Sequence, residues 1–443
     1  MSILIKNATI VTMNDKRDVI TGNLLIEENK IAALGDVQGT ADVVIDASGK
    51  VVIPGLIQTH VHLCQTLFRG QADDLELLDW LRQRIWPLEG AHDPESLYYS
   101  VLLSCGELFK GGTTAIVDME TVHHTDSAIE GIAKAGIRAV TGKCMMDYGD
   151  DVPATLMENT ADSIAESVRL CEKWHGKANG RIQYAFTPRF VVSCSEDLLL
   201  EVRDLAKKYG VKVHTHASEN RGEIELVQQD RGMRNVVYLD KIGLTGPDLL
   251  LAHCIWLDET EMDIIAKTQT KVVHCPSSNL KLASGIAKIP ELIKRGARVS
   301  LGADGAPCNN NLDQFVEMRL AALIQKPIYG PTVMPAEEVF ALATVEGAKA
   351  MGLEKEIGSL EVGKKADLAI VDLDNLHSYP LAPNMNIYSQ LVYQAKSSDV
   401  VTTIVDGEIV MEDRVLKTID EAEVKTKVNE AIKRVAKRAG VIS

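Results

Sequence analysis

The sequence predicts an α/β protein, a (β/α)8 TIM-type barrel with a small β-sandwich domain built from both termini. Three observations lead there. Eight β-rich apolar segments alternate with amphipathic stretches between about residues 56 and 355, both chain ends instead alternate apolar and polar residues, and six of the eleven His fall at the ends of the expected barrel strands. A barrel of this kind takes about 250 residues, so a chain of 443 leaves enough for the appendage.

The first stretch, ILIKNATIVTM, GNLLIEENKIAALG and DVVIDASGKVVIPG, reads as short strands separated by Asn, Asp and Gly turns, which suggests an antiparallel unit. Its character changes at Pro54-Gly55. The barrel strands expected next are LIQTH (56–60), TTAIVDM (113–119), IRAVTGKCMM (137–146) and RIQYAFTPR (181–189). KVHTHASE (212–219), LLLAHCIW (249–256), KVVHCPSS (271–278) and RVSLGADG (298–305) complete the eight. Between the fourth and fifth lies SEDLLLEVRDLAKKYG, a helix with a Ser195 cap and a Gly210 stop. ADLAIVDLD (366–374) and VVTTIVDGEIVMEDRVL (400–416) return to β alternation, and EAEVKTKVNEAIKRVAKRAG closes the chain as a helix. The expected division is 1–55 and 356–443 for the β domain, and 56–355 for the barrel.

Composition narrows the function. Asp and Glu outnumber Lys and Arg by 62 to 47, a net charge of -15, which argues against nucleic acid and anionic membrane surfaces as partners. No apolar run approaches the roughly 18 residues of a membrane span, and the N-terminus reads as a strand, not a signal peptide. The eight Cys lack short paired spacings and several sit in apolar runs, which suits buried thiols in a reducing cytoplasm. A cytoplasmic homo-oligomer acting on a small molecule is expected.

Chemistry in such a barrel gathers at the C-terminal ends of the strands. The first strand ends His60-Val61-His62, and residues i and i+2 on a strand point the same way. The fifth ends His214-Thr215-His216-Ala217-Ser218-Glu219, the sixth in His253, the seventh in His274 and the eighth in Asp304. Imidazole and carboxylate ligands suit divalent Zn or Fe. A single strand His is most often a packing residue, but this distribution is not scatter.

PGLIQTHVHLCQ, HTHASEN, HC, HCPSSN and GADG together resemble the amidohydrolase superfamily, in its single-metal deaminase and chlorohydrolase branch. The likeness extends along nearly the whole chain, including GSLEVGKKADLAIVD. It implies one divalent metal ion, Zn with Fe as the alternative, held by His60, His62, His216 and Asp304. His214 is then an interior hydrogen-bonded residue, and TPRFVV lacks the bridging Lys or Glu of two-metal branches. The same resemblance implies Glu219 as the general acid/base, His253 beside the attacking water and Asp304 assisting departure of ammonia.

For substrate contacts, the resemblance points to Gln65, Glu89 in WPLE, Arg189, His274 and Cys308. Guanine deaminases place a Gln and an Arg in these positions against the purine. Deaminases of methylthioadenosine, S-adenosylhomocysteine and 5'-deoxyadenosine use a WPLE-type Glu on ribose hydroxyls. His274 is open between the site and packing, and Cys308 between the leaving group and a buried thiol. Trp80 and Trp86 read as core, and His123 and His124 as loop residues. The function implied is a hydrolytic deaminase of an aminopurine base or nucleoside. The alternative is an s-triazine deaminase, of melamine or ammeline type, or a chlorohydrolase. A barrel that had lost catalysis would be expected to lack these ligand positions, which are all present.

Overall fold

The structure, a computed structural model, describes residues 1–382 and 384–441. Eight strand positions form one parallel sheet, in the spatial order of their sequence. They are Leu56–His62, Thr113–Met119, Arg138–Gly142 with its extension Cys144–Met145, Ile182–Pro188, Lys212–Ala217, Leu249–His253, Lys271–His274 and Arg298–Leu301. The two residues Asp304–Gly305 then pair in parallel with the first strand, Asp304 opposite Val61 and Gly305 opposite His62, and close the ring. This closure needs Gly302, because a Cβ there would stand 2.7 Å from the backbone N and O of His60.

The helices cover the outside as their patterns require. Glu196–Tyr209 opens with the Ser195 hydroxyl accepting from Leu198 N and ends at Gly210 in the left-handed region. It buries Leu198, Leu199, Val202, Leu205 and Ala206 against the barrel, and each Leu or Val so removed from water contributes about 1.5–3 kcal/mol.

Both termini build a second, nine-stranded sheet. Its junction is the antiparallel pairing of Lys50–Pro54 with Leu368–Asp372. The N-terminal part is mixed, not wholly antiparallel: Ser2–Val11 pairs antiparallel with Val19–Glu27 but parallel with Val43–Asp46 and Lys50–Pro54. Residues 36–42 return the chain to its starting edge, which forces the parallel direction. A bridge between Lys30 and Lys365 folds the sheet over, enclosing Ile3, Ile5, Leu24, Ile26, Val52, Leu368 and Ile404. Helix Glu421–Arg438 lies against helix Pro94–Lys110, with Arg434 on Glu95 and Arg438 on Asp93. Among the described residues no helix is long and apolar enough to cross a membrane.

One buried ion pair ties the sheet to the barrel. Arg138, 1% exposed on the third barrel strand, donates to both oxygens of Asp367 at 2.8 and 2.9 Å and to Asp406 at 3.4 Å. Removing one member of a buried pair leaves uncompensated charge. Arg138→Met is therefore expected to destabilise the fold by about 3–5 kcal/mol, read as a shift in the denaturant midpoint. An unchanged midpoint would show that the pair adds nothing.

Candidate metal centre and active site

His60 and His62 leave the first strand on its inner face, and His216 does so from the fifth. Asp304 comes from the closing bridge, so the bond pattern that shuts the barrel also carries this carboxylate inward. His60 Nε2 and His62 Nε2 each lie 3.4 Å from Asp304 Oδ1, and His62 Nε2 lies 3.3 Å from His216 Nε2. Donors about 2.0–2.1 Å from a tetrahedral ion sit roughly 3.4 Å from one another. His60 Nε2 is buried with no hydrogen-bond partner. Side chains here form two groups able to hold a metal ion, His60 with His62 and Asp304, and His60 with His216 and His253.

The far side of each ring fixes which nitrogen faces inward. His62 Nδ1 donates to Met119 O at 2.8 Å, and His216 Nδ1 to Arg189 O at 2.7 Å. His60 Nδ1 lies 2.7 Å from His214 Nε2, whose Nδ1 in turn reaches Leu250 O at 3.3 Å. That chain has one consistent direction: His214 donates to the carbonyl, accepts from His60, and leaves His60 Nε2 with a free lone pair. Burial, reinforced by neighbouring imidazoles, keeps His214 and His216 well below the usual His range, and His62 at about 4. Neutral imidazoles are what a metal ion requires.

Glu219 stands above this cluster, 4% exposed. Its loop is fixed by Glu223, which accepts from the backbone N of Ser218 and Glu219 and completes a capping box with Asn220. Burial, then the charges of Asp304 and Glu223, push the Glu219 carboxyl well above the ordinary range. One of its oxygens, Oε1, has no partner, and the other lies 3.4 Å from His253 Nε2. His253 Nε2 is also 3.8 Å from Asp304 Oδ2. Asp304 itself is held well below its usual value: burial opposes ionisation, but the facing imidazoles of His60, His253 and His62 favour its carboxylate form and outweigh it.

Three further residues form one buried network. Gln65 Nε2 donates to Glu89 Oε1 at 2.8 Å, and Arg189 Nη1 donates to Glu89 Oε2 at 2.6 Å. Burial works against the Arg189 charge, but Glu89 more than offsets it. Gln65 Oε1 has no partner, and only a glycine fits beside it, since a Cβ on Gly305 would sit 2.0 Å away. Gln65 and Arg189 line the cavity with His62, His216, Glu219, His253 and Asp304. Leu77, Trp80, Leu81, Phe190 and Leu282 roof it, leaving a volume of about 30 Å³.

The remaining expected residues lie further out. Glu89 touches the site through Gln65 and Arg189. His274 is buried with neither ring nitrogen bonded, and Cys308 is buried with its thiol donating to Gly305 O; neither lines the cavity. His123 reaches Thr155 O on the surface. Trp80 walls the cavity, whereas Trp86 packs in the roof.

Sequence reasoning passed over Glu120. It is 1% exposed, with neither carboxyl oxygen bonded, and lies beside Asp118, which accepts from Leu63 N and Thr141 Oγ1. Burial and then the Asp118 charge raise Glu120 well above the normal range. The signal was available: a second acid two residues on, at the same strand end.

Strain gathers here as well. Ser218, His253, Cys254 and Asp304 are non-glycine residues with φ between 50° and 71°, each costing on the order of 1–3 kcal/mol that the surrounding packing and hydrogen bonds must offset.

Fold and site together define a barrel hydrolase with groups able to hold a metal ion. Residues 51–410 match the Amidohydrolase family, and the chain belongs to it. It is 43% identical to a 5'-deoxyadenosine deaminase of Methanobrevibacter smithii, over 97% of each chain. A 5-methylthioadenosine/S-adenosylhomocysteine deaminase of Desulforamulus reducens is 39% identical, over 98% of this chain and 99% of the relative. Among solved structures, a zinc-bound adenosine deaminase from Xanthomonas campestris superposes with a TM-score of 0.91 at 30% identity, over 98% of both chains. An atrazine chlorohydrolase from Arthrobacter aurescens has a TM-score of 0.90 at 24% identity, over 97% of this chain and all of that one. That last likeness shows the fold alone.

Proposed function

We propose that this chain is a metal-dependent aminohydrolase of adenosine-type nucleosides, with 5'-deoxyadenosine, methylthioadenosine and S-adenosylhomocysteine as its substrate class. Water replaces the exocyclic amine, giving a ring carbonyl and ammonia. The observation that carries this reading is Glu219, a buried carboxyl with an unpartnered oxygen that lines the cavity floored by the four converging donors. The names of the relatives above support the substrate class.

In this reading His60, His62, His216 and Asp304 hold the ion. Zinc is preferred to iron, supported by the tetrahedral donor spacing and by the zinc of the Xanthomonas structure. A bound divalent ion supplies Lewis acidity that makes water nucleophilic near neutral pH. The protein's own groups move the protons. Glu219 gives one to the ring nitrogen beside the amine-bearing carbon, which makes that carbon electrophilic. His253 Nε2 faces the point of attack, and the ionised Asp304 would take the proton of the added hydroxyl group through Oδ2 and pass it to the departing amine, so that the carbonyl forms as ammonia leaves. Glu89, held by Gln65 and Arg189 behind the cavity wall, would accept from a ribose hydroxyl once outward movement of the roof opens the cavity toward it.

A cavity of about 30 Å³ is far below the roughly 300 Å³ of ordinary ligand pockets. A nucleoside is therefore admitted when the roof around Leu77, Trp80 and Leu81 moves outward. The eight cysteines, all free and buried, support a reducing compartment such as the cytoplasm.

The test is ammonia release from 5'-deoxyadenosine, methylthioadenosine, S-adenosylhomocysteine, adenosine, guanine and melamine. The highest kcat/KM is expected on a 5'-substituted adenosine. A higher value on guanine or melamine would overturn the assignment.

A further inference from the structure

The segment HCPSSN contributes more than its histidine. The short helix Pro276–Lys281 begins directly after the seventh barrel strand, and its adjacent residues Ser278 and Asn279 each hold a different polar group of the site. Ser278, fully buried, donates through Oγ to Asp304 Oδ2 at 2.6 Å. Asn279, 1% exposed, sets its Oδ1 2.9 Å from His253 Nδ1. With the amide oxygen facing the ring, Nδ1–H donates to it and Nε2 is turned toward Glu219 and Asp304.

The backbone beneath is fixed independently of the site. Asn279 N donates to Cys275 O, and Asn279 O accepts from Ser284 N and Gly285 N. Ser277 N is held by the buried Glu317. Asn279 therefore offers its oxygen from a preset position. His253 needs such a hold because its backbone sits in the left-handed region at φ 71°. The oxygen of Asp304 that Ser278 holds is the one turned away from His60 and His62, whose Nε2 atoms face Oδ1.

We infer that Asn279 is a positioning residue for the reaction: it fixes the ring of His253 so that Nε2 faces the reacting carbon, while neighbouring Ser278 aims Asp304 Oδ2 at the same place. The inference rests on the deaminase reading of the site. Asn279 acts through His253 and touches neither substrate nor ion, so its loss reduces kcat and not metal binding.

The experiment is a mutant cycle on 5'-deoxyadenosine turnover, with zinc content and thermal midpoint measured alongside. Asn279→Ala is expected to lower kcat by about 10–100-fold, the usual cost of losing such an outer partner. KM and zinc per chain stay within about twofold of wild type. Asn279→Asp keeps an acceptor oxygen and recovers most of the rate, which a merely structural role would not allow. In a His253→Ala background, Asn279→Ala causes no further loss, because its effect passes through the missing ring. Losses that multiply, a rate for Asn279→Asp as low as for Asn279→Ala, or zinc lost in step with kcat would each overturn the inference. A fully active Asn279→Ala enzyme overturns it alone. A wild-type protein that releases no ammonia from any nucleoside overturns the functional reading and this inference with it.

Discussion

Glu219→Gln is expected to retain its divalent metal and lose turnover by roughly 10²–10⁴-fold, the range of a general acid/base contribution. The substitution keeps the shape of the side chain and its loop, because the bonds that fix the loop run from backbone N atoms to Glu223 and do not involve the Glu219 carboxyl. The Glu219 carboxyl makes no hydrogen bond to any of the four donors, and its contact at the site is His253 Nε2 at 3.4 Å, so the donor set is undisturbed. What disappears is a transferable proton, since an amide can donate a hydrogen bond to the ring nitrogen but cannot give up its hydrogen. KM should change little, as the contact survives in the ground state. Metal analysis and steady-state ammonia release on the same preparation check this. Near-native turnover would remove Glu219 from proton transfer and leave its buried, raised carboxyl without a purpose.

The sequence made the floor of the site legible because strand periodicity is rigid. His60 and His62 at i and i+2 had to share a face, and the closing Asp304 had to come from the last strand of a ring. The same logic left His214 and His216 equivalent, and only the resemblance separated them. The structure adds the physical reason: His214 sits one step deeper, where its Nε2 meets His60 Nδ1. The roof and the Gln65–Glu89–Arg189 network were less legible. They join a short 3-10 turn (Leu63–Phe68), a helix (Trp86–Glu89) and a strand end, with Gln65 and Arg189 lying 24 and 100 positions from Glu89, and periodicity says nothing about where a long connection folds back. Each of these residues could be named singly, but the pairing of Arg189 with Glu89 could not. Glu120 is followed by Thr121, Val122 and the loop residues His123 and His124, so by pattern alone it reads as the first carboxylate of a solvated loop and not as a buried partner of Asp118. The left-handed backbones of Ser218, His253 and Asp304 lack the glycine that would announce them, and the weaker enrichment of Asp and His in that region does not single out these positions among the chain's other Asp and His residues. Strain of this kind is visible only in coordinates.

His216→Ala is expected to abolish both zinc retention and turnover. One of four donors is lost, and nothing replaces it: His214, the adjacent imidazole on the same strand face, already has both nitrogens committed, one to His60 and one to Leu250 O. His253, which the geometry groups with His60 and His216, is tied at Nδ1 to Asn279. Its Nε2 is 3.8 Å from Asp304 Oδ2, farther than the 3.3–3.4 Å contacts that join the other donors. Zinc per chain, measured after dialysis, should fall to the level of chelator-treated wild type, and ammonia release to that of the buffer. His214→Phe is the control that separates the two histidines. It removes an orienting partner and no donor, so zinc affinity drops about 10–100-fold and saturating zinc restores most of the turnover. If the outcomes were reversed, with His214 indispensable and His216 rescued by zinc, the ion would have to sit two residues deeper along the strand. Glu219, three residues beyond His216, would then stand too far from the ion to share its water.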